Sequence, residues 1–193
     1  MLIRRFATAV LITALGAPLL AAAQKPHDPT ALLAAQRDAM APLAKLDGHW
    51  RGTATMTSPT GASHVITQTE RIGPLLDGTV KVIEGRGYDT DGNVAFNALA
   101  IVSFDPAKRA YNFRSYAQGH SGDFVFTPTA DGFVWEIPAG PMTMRYTSVV
   151  KGDTWSEIGE RIEPGKPPVK FVELKLQRIG ASDWPAAGAV AAK

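Results

Sequence analysis

From Trp50 to Ile179 the chain alternates apolar and polar residues with a period of two, in about ten short runs separated by turn-forming residues. Successive side chains of a strand point to opposite faces, so this alternation predicts strands over Trp50–Thr57, His64–Ile72, Thr79–Tyr88, Val94–Phe104, Tyr111–Gln118, Asp123–Thr127, Phe133–Ile137, Met142–Val150, Thr154–Ile162 and Val169–Ile179. The breaks supply the Asp, Pro and Gly that tight connections need: Pro59-Thr60-Gly61, Leu76-Asp77-Gly78, Asp89-Thr90-Asp91-Gly92, Asp105-Pro106, Asp131-Gly132, Lys151-Gly152-Asp153 and Pro164-Gly165. No helical crossover interrupts the succession, which favours an all-β, antiparallel up-and-down barrel over a sandwich or a parallel α/β fold. Closure would bring the first and last strands together, and with them Trp50 and Arg178. Ahead of the strands the period lengthens. Leu32, Leu33, Gln36, Met40 and Leu43 fall near helical spacing, so a short helix is expected from about Ala31 to Met40, capped by Asp28 or Thr30 and ended or kinked at Pro42. It would plug or brace the barrel.

The first residues change the picture of where the chain works. Arg4 and Arg5 precede an apolar run from Phe6 to Leu20, and Ala21-Ala22-Ala23 follows. A positive start, a short apolar stretch and small residues at the cleavage position make a secretory signal peptide, with cleavage expected after Ala23. The expected organisation is a signal peptide over 1–23, a leader and helix over 24–46, a barrel over 47–180 and a flexible tail over 181–193. The mature part would have 170 of the 193 residues, enough for one domain with a proper core. Loss of the two arginines leaves 18 basic residues against 18 acidic ones, so the net charge of +2 belongs to the leader. No electrostatic basis remains for nucleic acid as a partner. No membrane anchor is expected after cleavage, and with no cysteine there is neither a disulfide nor a lipid-bearing thiol. The expected location is the periplasm or the exterior.

Leu46-Asp47-Gly48-His49-Trp50-Arg51-Gly52 resembles the opening motif of the calycin barrels, which include lipocalins, fatty-acid-binding proteins and nitrobindin-like haem barrels. Glu70-Arg71, Glu84-Gly85-Arg86-Gly87 and Phe104-Asp105-Pro106-Ala107-Lys108 extend the likeness across about residues 43–179, and it runs nearest to a family of secreted bacterial domains of unknown function in that group. The resemblance implies a barrel-shaped cup in which Trp50 and Arg178 pack together at the closed end as structural residues.

Candidate chemistry outside a lumen is thin. Gly119-His120-Ser121-Gly122 lacks the second glycine of a hydrolase elbow, where Asp123 stands, and reads as a loop between strands. Asp89-Thr90-Asp91-Gly92-Asn93 begins like a calcium loop but has Val94 and Ala100 at the positions of its glycine and closing glutamate, so it is a hairpin turn. His27, His49, His64 and His120 lack metal-site spacing, and no metal is expected. Nitrobindin-like barrels hold haem through a late histidine, whereas Val169–Ile179 has none; haem is the least supported reading, and no cofactor is expected.

The remaining candidate is the lumen. Polar groups from Glu70, Glu84, Arg86, Arg114 and Tyr116 are expected inside a cup otherwise lined by Phe96, Phe113, Trp135, Met144 and Tyr146. Within the strand from Val94, Phe96, Ala98, Ala100, Val102 and Phe104 share one face; in the strand from Thr79, Val80, Val82, Glu84 and Arg86 do. These residues suit binding of a small hydrophobic molecule without catalysis. Two further readings stand beside it: a small-molecule hydrolase or isomerase using Glu70 or Glu84 as a buried base, and an envelope interaction protein with a packed lumen.

Overall fold

The computed structural model describes residues 28–185; the expected signal peptide lies outside them. Helix α1 (Pro29–Met40) begins where Asp28 caps it, its carboxylate accepting from the Thr30 N–H at 2.9 Å, and Pro29 occupies the first turn, where no N–H is required. After Met40 the coil tightens into a 3-10 segment (Ala41–Leu46) that contains Pro42. Ten strands follow: β1 (Gly48–Thr57), β2 (Ser63–Leu75), β3 (Val80–Tyr88), β4 (Val94–Asp105), β5 (Ala110–Ala117), β6 (His120–Pro128), β7 (Gly132–Ala139), β8 (Met142–Lys151), β9 (Thr154–Ile162) and β10 (Val169–Gly180).

Each strand pairs antiparallel with its sequence neighbour, and β1 pairs with β10, closing the barrel. Trp50 sits opposite Arg178 in that closing register. The Arg178 guanidinium lies 4.0 Å from the centroid of the Trp50 ring, and its N–H groups donate to the Lys45 carbonyl at 2.8 Å and to that of Asp47. Trp50 is fully buried and donates its indole N–H to the Leu46 carbonyl at 2.8 Å. A planar cation over an aromatic face, with each of its three nitrogens donating a hydrogen bond, seals this end.

Met40, Leu43 and Leu46 complete the seal by packing on Trp50, Ile72 and Val102. Of the helical face expected to pack, Leu32 and Leu33 are instead exposed; only its C-terminal end reaches the core. Gln36 donates to the Phe104 carbonyl at 3.2 Å and the Tyr111 hydroxyl donates to the Ala39 carbonyl at 2.6 Å, so the helix braces the closed end.

Most strand ends fall within a few residues of the sequence reading, and two differences are larger. The segment Gly119-His120-Ser121-Gly122 is not a loop: β6 begins at His120, which pairs with Ala117 across a two-residue turn. Gln118 and Gly119 have φ of 50° and 82°, the left-handed conformation at both central positions that matches strand twist. The second difference is in the tail, whose residues 182–184 lie against the outside of β1 and β2. Asp183 accepts from Arg71 Nε at 2.6 Å and pairs with His49 at 2.8 Å, while Trp184 lies under the Arg71 guanidinium, 4.1 Å away. Those hydrogen bonds hold the Asp183 carboxyl down at about 2, Arg71 contributing first. Gly73 makes the contact possible, since a Cβ there would stand 2.6 Å from the Trp184 Cβ and closer to Ser182.

Candidate functional site: the barrel lumen

Alternation decides which side chains enter the barrel, and strand register decides their depth. Ile66, Gln68, Glu70 and Ile72 point inward from β2; Trp155, Glu157 and Gly159 do so from β9. Above the sealed end these faces enclose a cavity of about 850 Å³. Its mouth lies among the β1–β2 and β5–β6 turns, where Ser58, Ala62, His64, His120 and Ser121 are exposed lining residues.

Its walls are mostly apolar, and eight of the lining residues are aromatic. The Trp135 and Tyr146 rings, from paired positions on β7 and β8, stack at 4.0 Å and an interplanar angle of 9°. Phe113 lies 5.2 Å from Trp135, and Phe171 lies 5.6 Å from Tyr146. Phe96, Ile137 and Met144 continue the surface toward the mouth. Aromatic neighbours at these separations hold one another in place and leave a rigid apolar wall.

Two carboxylates stand within this wall. Glu70 and Glu157 are each 8% exposed. Glu70 lies opposite Gly85 in the β2–β3 register, and a Cβ at Gly85 would come within 2.8 Å of its Oε1, so the glycine leaves room for the carboxyl group. Gln68 donates its Nε2 to Oε1 at 2.7 Å. Burial pushes the Glu70 carboxyl up to about 8, Gln68 opposes that shift, and the charge of Glu157 adds to it. Burial raises Glu157 as well, against hydrogen bonds from Ser148, its partner across β8 and β9, and from the Trp135 indole. Tyr146 is pushed up to about 12 by burial first and by Glu157 second.

The cations near the lumen are engaged elsewhere. Lys81 points inward on β3 but is 3% exposed and paired with Asp47 at the closed end. No lysine or arginine lines the cavity among the described residues. No group of three or more His, Cys, Asp or Glu among them could hold a metal ion.

The structure brings six of the expected lumen residues together around this cavity: Glu70, Phe96, Phe113, Trp135, Met144 and Tyr146. The other four point away from it. Glu84 and Arg86 share a face as expected, but it is the outer face of β3; Arg86 donates to Glu84 at 2.9 Å with 52% of its side chain exposed. Arg114 and Tyr116 are on the outer face of β5, where Arg114 donates to Asp123 at 2.6 Å and to the Tyr116 hydroxyl at 3.1 Å. The physical reason is parity: Gly85 and Gly87 point inward on β3, and Phe113 and Ser115 on β5, which sends the flanking charges into water. Glu84, Arg86 and Tyr116 join Arg71 and Trp184 along a shallow outer groove. Sequence reasoning missed Gln68, Ser148, Trp155 and Glu157. The signal for Glu157 was present, because it shares the face of a strand with Trp155, two residues away.

No family model matches this chain, and the search of curated proteins found no match. Among solved structures the chain is similar to the crystal structure of Rv2717c from M. tuberculosis, with 14% sequence identity and a TM-score of 0.54, over 72% of this chain and 96% of that one. At that identity the likeness shows the fold alone.

Proposed function

We propose that the protein binds a small, mostly apolar molecule in the barrel lumen. The observation that carries this reading is the cavity itself: about 850 Å³, walled by aromatic side chains, open at one end and holding a few buried polar groups. Its size falls within the range of small-molecule sites, where apolar burial supplies affinity and a few polar groups supply orientation. We place the binding in the periplasm or outside the cell on the strength of the leader sequence. Calycin kinship is likewise our proposal, supported by the Gly48-x-Trp50 opening and the Arg178 guanidinium over Trp50.

Native mass spectrometry of the gently purified protein tests the binding. A co-purifying small molecule is expected, and Ala98→Trp, which would fill the lumen beside Phe96, should abolish its retention. Equal retention by that variant would place the ligand elsewhere, and an empty protein that takes up no apolar probe would overturn the reading. The carboxylates favour one second reading, acid-base catalysis on the bound molecule, because Glu70 holds a proton at neutral pH inside a reachable cavity. Turnover of the retained molecule, lost in Glu70→Gln, would establish it; retention without turnover would leave binding alone.

A further inference from the structure

The polar atoms of the lumen share a chemical character that bears on what it binds. Glu70 Oε1 is occupied by Gln68, whereas Oε2 has no hydrogen-bond partner and is not sealed from the cavity. Glu157 accepts from Ser148 through Oε2 and also from the Trp135 indole. Tyr146 also lines the cavity, and its hydroxyl is not sealed from it. Apart from the Ser115 and Tyr146 hydroxyls, which can donate as well as accept, and the proton on Glu70, the donors among the described residues deep in the lumen are engaged or shut away. Gln68 Nε2 is held by Glu70 and the Ser148 hydroxyl by Glu157, and the unpartnered Trp155 indole N–H is sealed where its ring packs on Trp50 and Phe133, at 5.7 and 6.2 Å. His64 and His120 stand at the mouth, far along their strands from the carboxylates.

A buried group facing a cavity is best complemented by a ligand group of opposite hydrogen-bonding character and charge, and leaving it unmet is costly. An anionic head, such as that of a fatty acid, would meet two acidic groups with no lysine or arginine to balance the charge, and only the single proton on Glu70 could join it to them. A neutral hydroxyl would meet an acceptor but leave the acidic pair uncompensated. A protonated nitrogen would supply donors and a positive charge to both carboxyl groups, drawing the proton off Glu70 as it binds, and would lie beside the stacked faces of Trp135 and Tyr146.

Resting on the lumen-binding reading, we infer that the ligand carries a basic nitrogen: it is an apolar amine or amidine whose cationic head meets Glu70 and Glu157 while its body lies along the aromatic wall. The test is a matched series, dodecylamine, dodecanol and dodecanoate, titrated below their micellar concentrations at pH 7.5 by calorimetry. The amine is expected to bind at least tenfold more tightly than either partner. Glu70→Gln together with Glu157→Gln should reduce that preference at least tenfold while dodecanol affinity is retained, and Glu84→Gln on the outer face should leave the amine unaffected. Equal or tighter binding of dodecanoate or dodecanol would overturn the amine assignment and leave lumen binding standing. So would an amine preference that survives the double substitution or disappears with Glu84→Gln. Binding of none of the three would overturn the assignment and count against the lumen reading as well.

Discussion

Replacing Glu70 with glutamine should stabilise the protein, and the gain should grow with pH. The folded carboxyl is pushed up to about 8 from an ordinary value of 4.5, so between those limits the folded chain holds a proton that the unfolded chain has released. Stability then falls as pH rises, by about 1.4 kcal/mol per pH unit, because the unfolded state binds fewer protons. At pH 7, roughly two and a half units above the ordinary value, the accumulated cost is about 3 kcal/mol, and at pH 5 it is about 1 kcal/mol. Below the ordinary value both states are protonated and the contribution vanishes. With Glu70 only 8% exposed, solvent screens little of this. Glutamine keeps the shape and an oxygen for Gln68 to donate to, so Glu70→Gln removes the titration with little repacking. The assay is urea denaturation of wild type and variant at pH 5 and 7, with thermal melts beside it. A gain of about 3 kcal/mol at pH 7 corresponds to a rise of roughly 6–12 °C in a domain of this size. No gain at pH 7, or one no larger there than at pH 5, would refute the assignment of Glu70 as a buried acid.

Two further outcomes test the closed end of the barrel and the chain docked beside it. Arg178→Met should cost about 2–4 kcal/mol by chemical denaturation, since it removes the cation from Trp50 and leaves the Lys45 and Asp47 carbonyls without their donor; Arg178→Lys should recover only part of the loss, because an ammonium cannot reproduce the planar fork, and full recovery would argue against that geometry. Gly73→Ala should release residues 182–184 from the barrel wall without unfolding it, through collision of the new Cβ with Ser182 and Trp184; a red shift of Trp184 fluorescence, isolated by comparison with Trp184→Phe, would report it, and an unchanged spectrum would refute the dock.

The alternation from Trp50 onward carried the strand count, the antiparallel succession and the meeting of Trp50 with Arg178, because each is a property of local periodicity and chain order. It also grouped residues by face correctly within β3 and β4. Which face was the inner one was a separate matter. On β4 the aromatic Phe96 and Phe104 marked the lumen side. On β3 the inward residues include Gly85 and Gly87, which carry no side chain to mark it, so the charges of Glu84 and Arg86 drew attention to the wrong face. The same confusion sent Arg114 and Tyr116 inward, although Phe113 on the opposite face of β5 was the true lining residue.

What the sequence determined by itself was therefore the one-dimensional part: period, turn chemistry, strand order and the need for closure. Tertiary structure alone decided the depth and company of each side chain. Glu70 and Glu157 lie 87 positions apart in the chain, and their shared cavity arises only when closure through β1 and β10 places β2 and β9 around one lumen. A carboxylate's burial, its hydrogen-bond partners and its proton affinity depend on that enclosure, which no local pattern encodes.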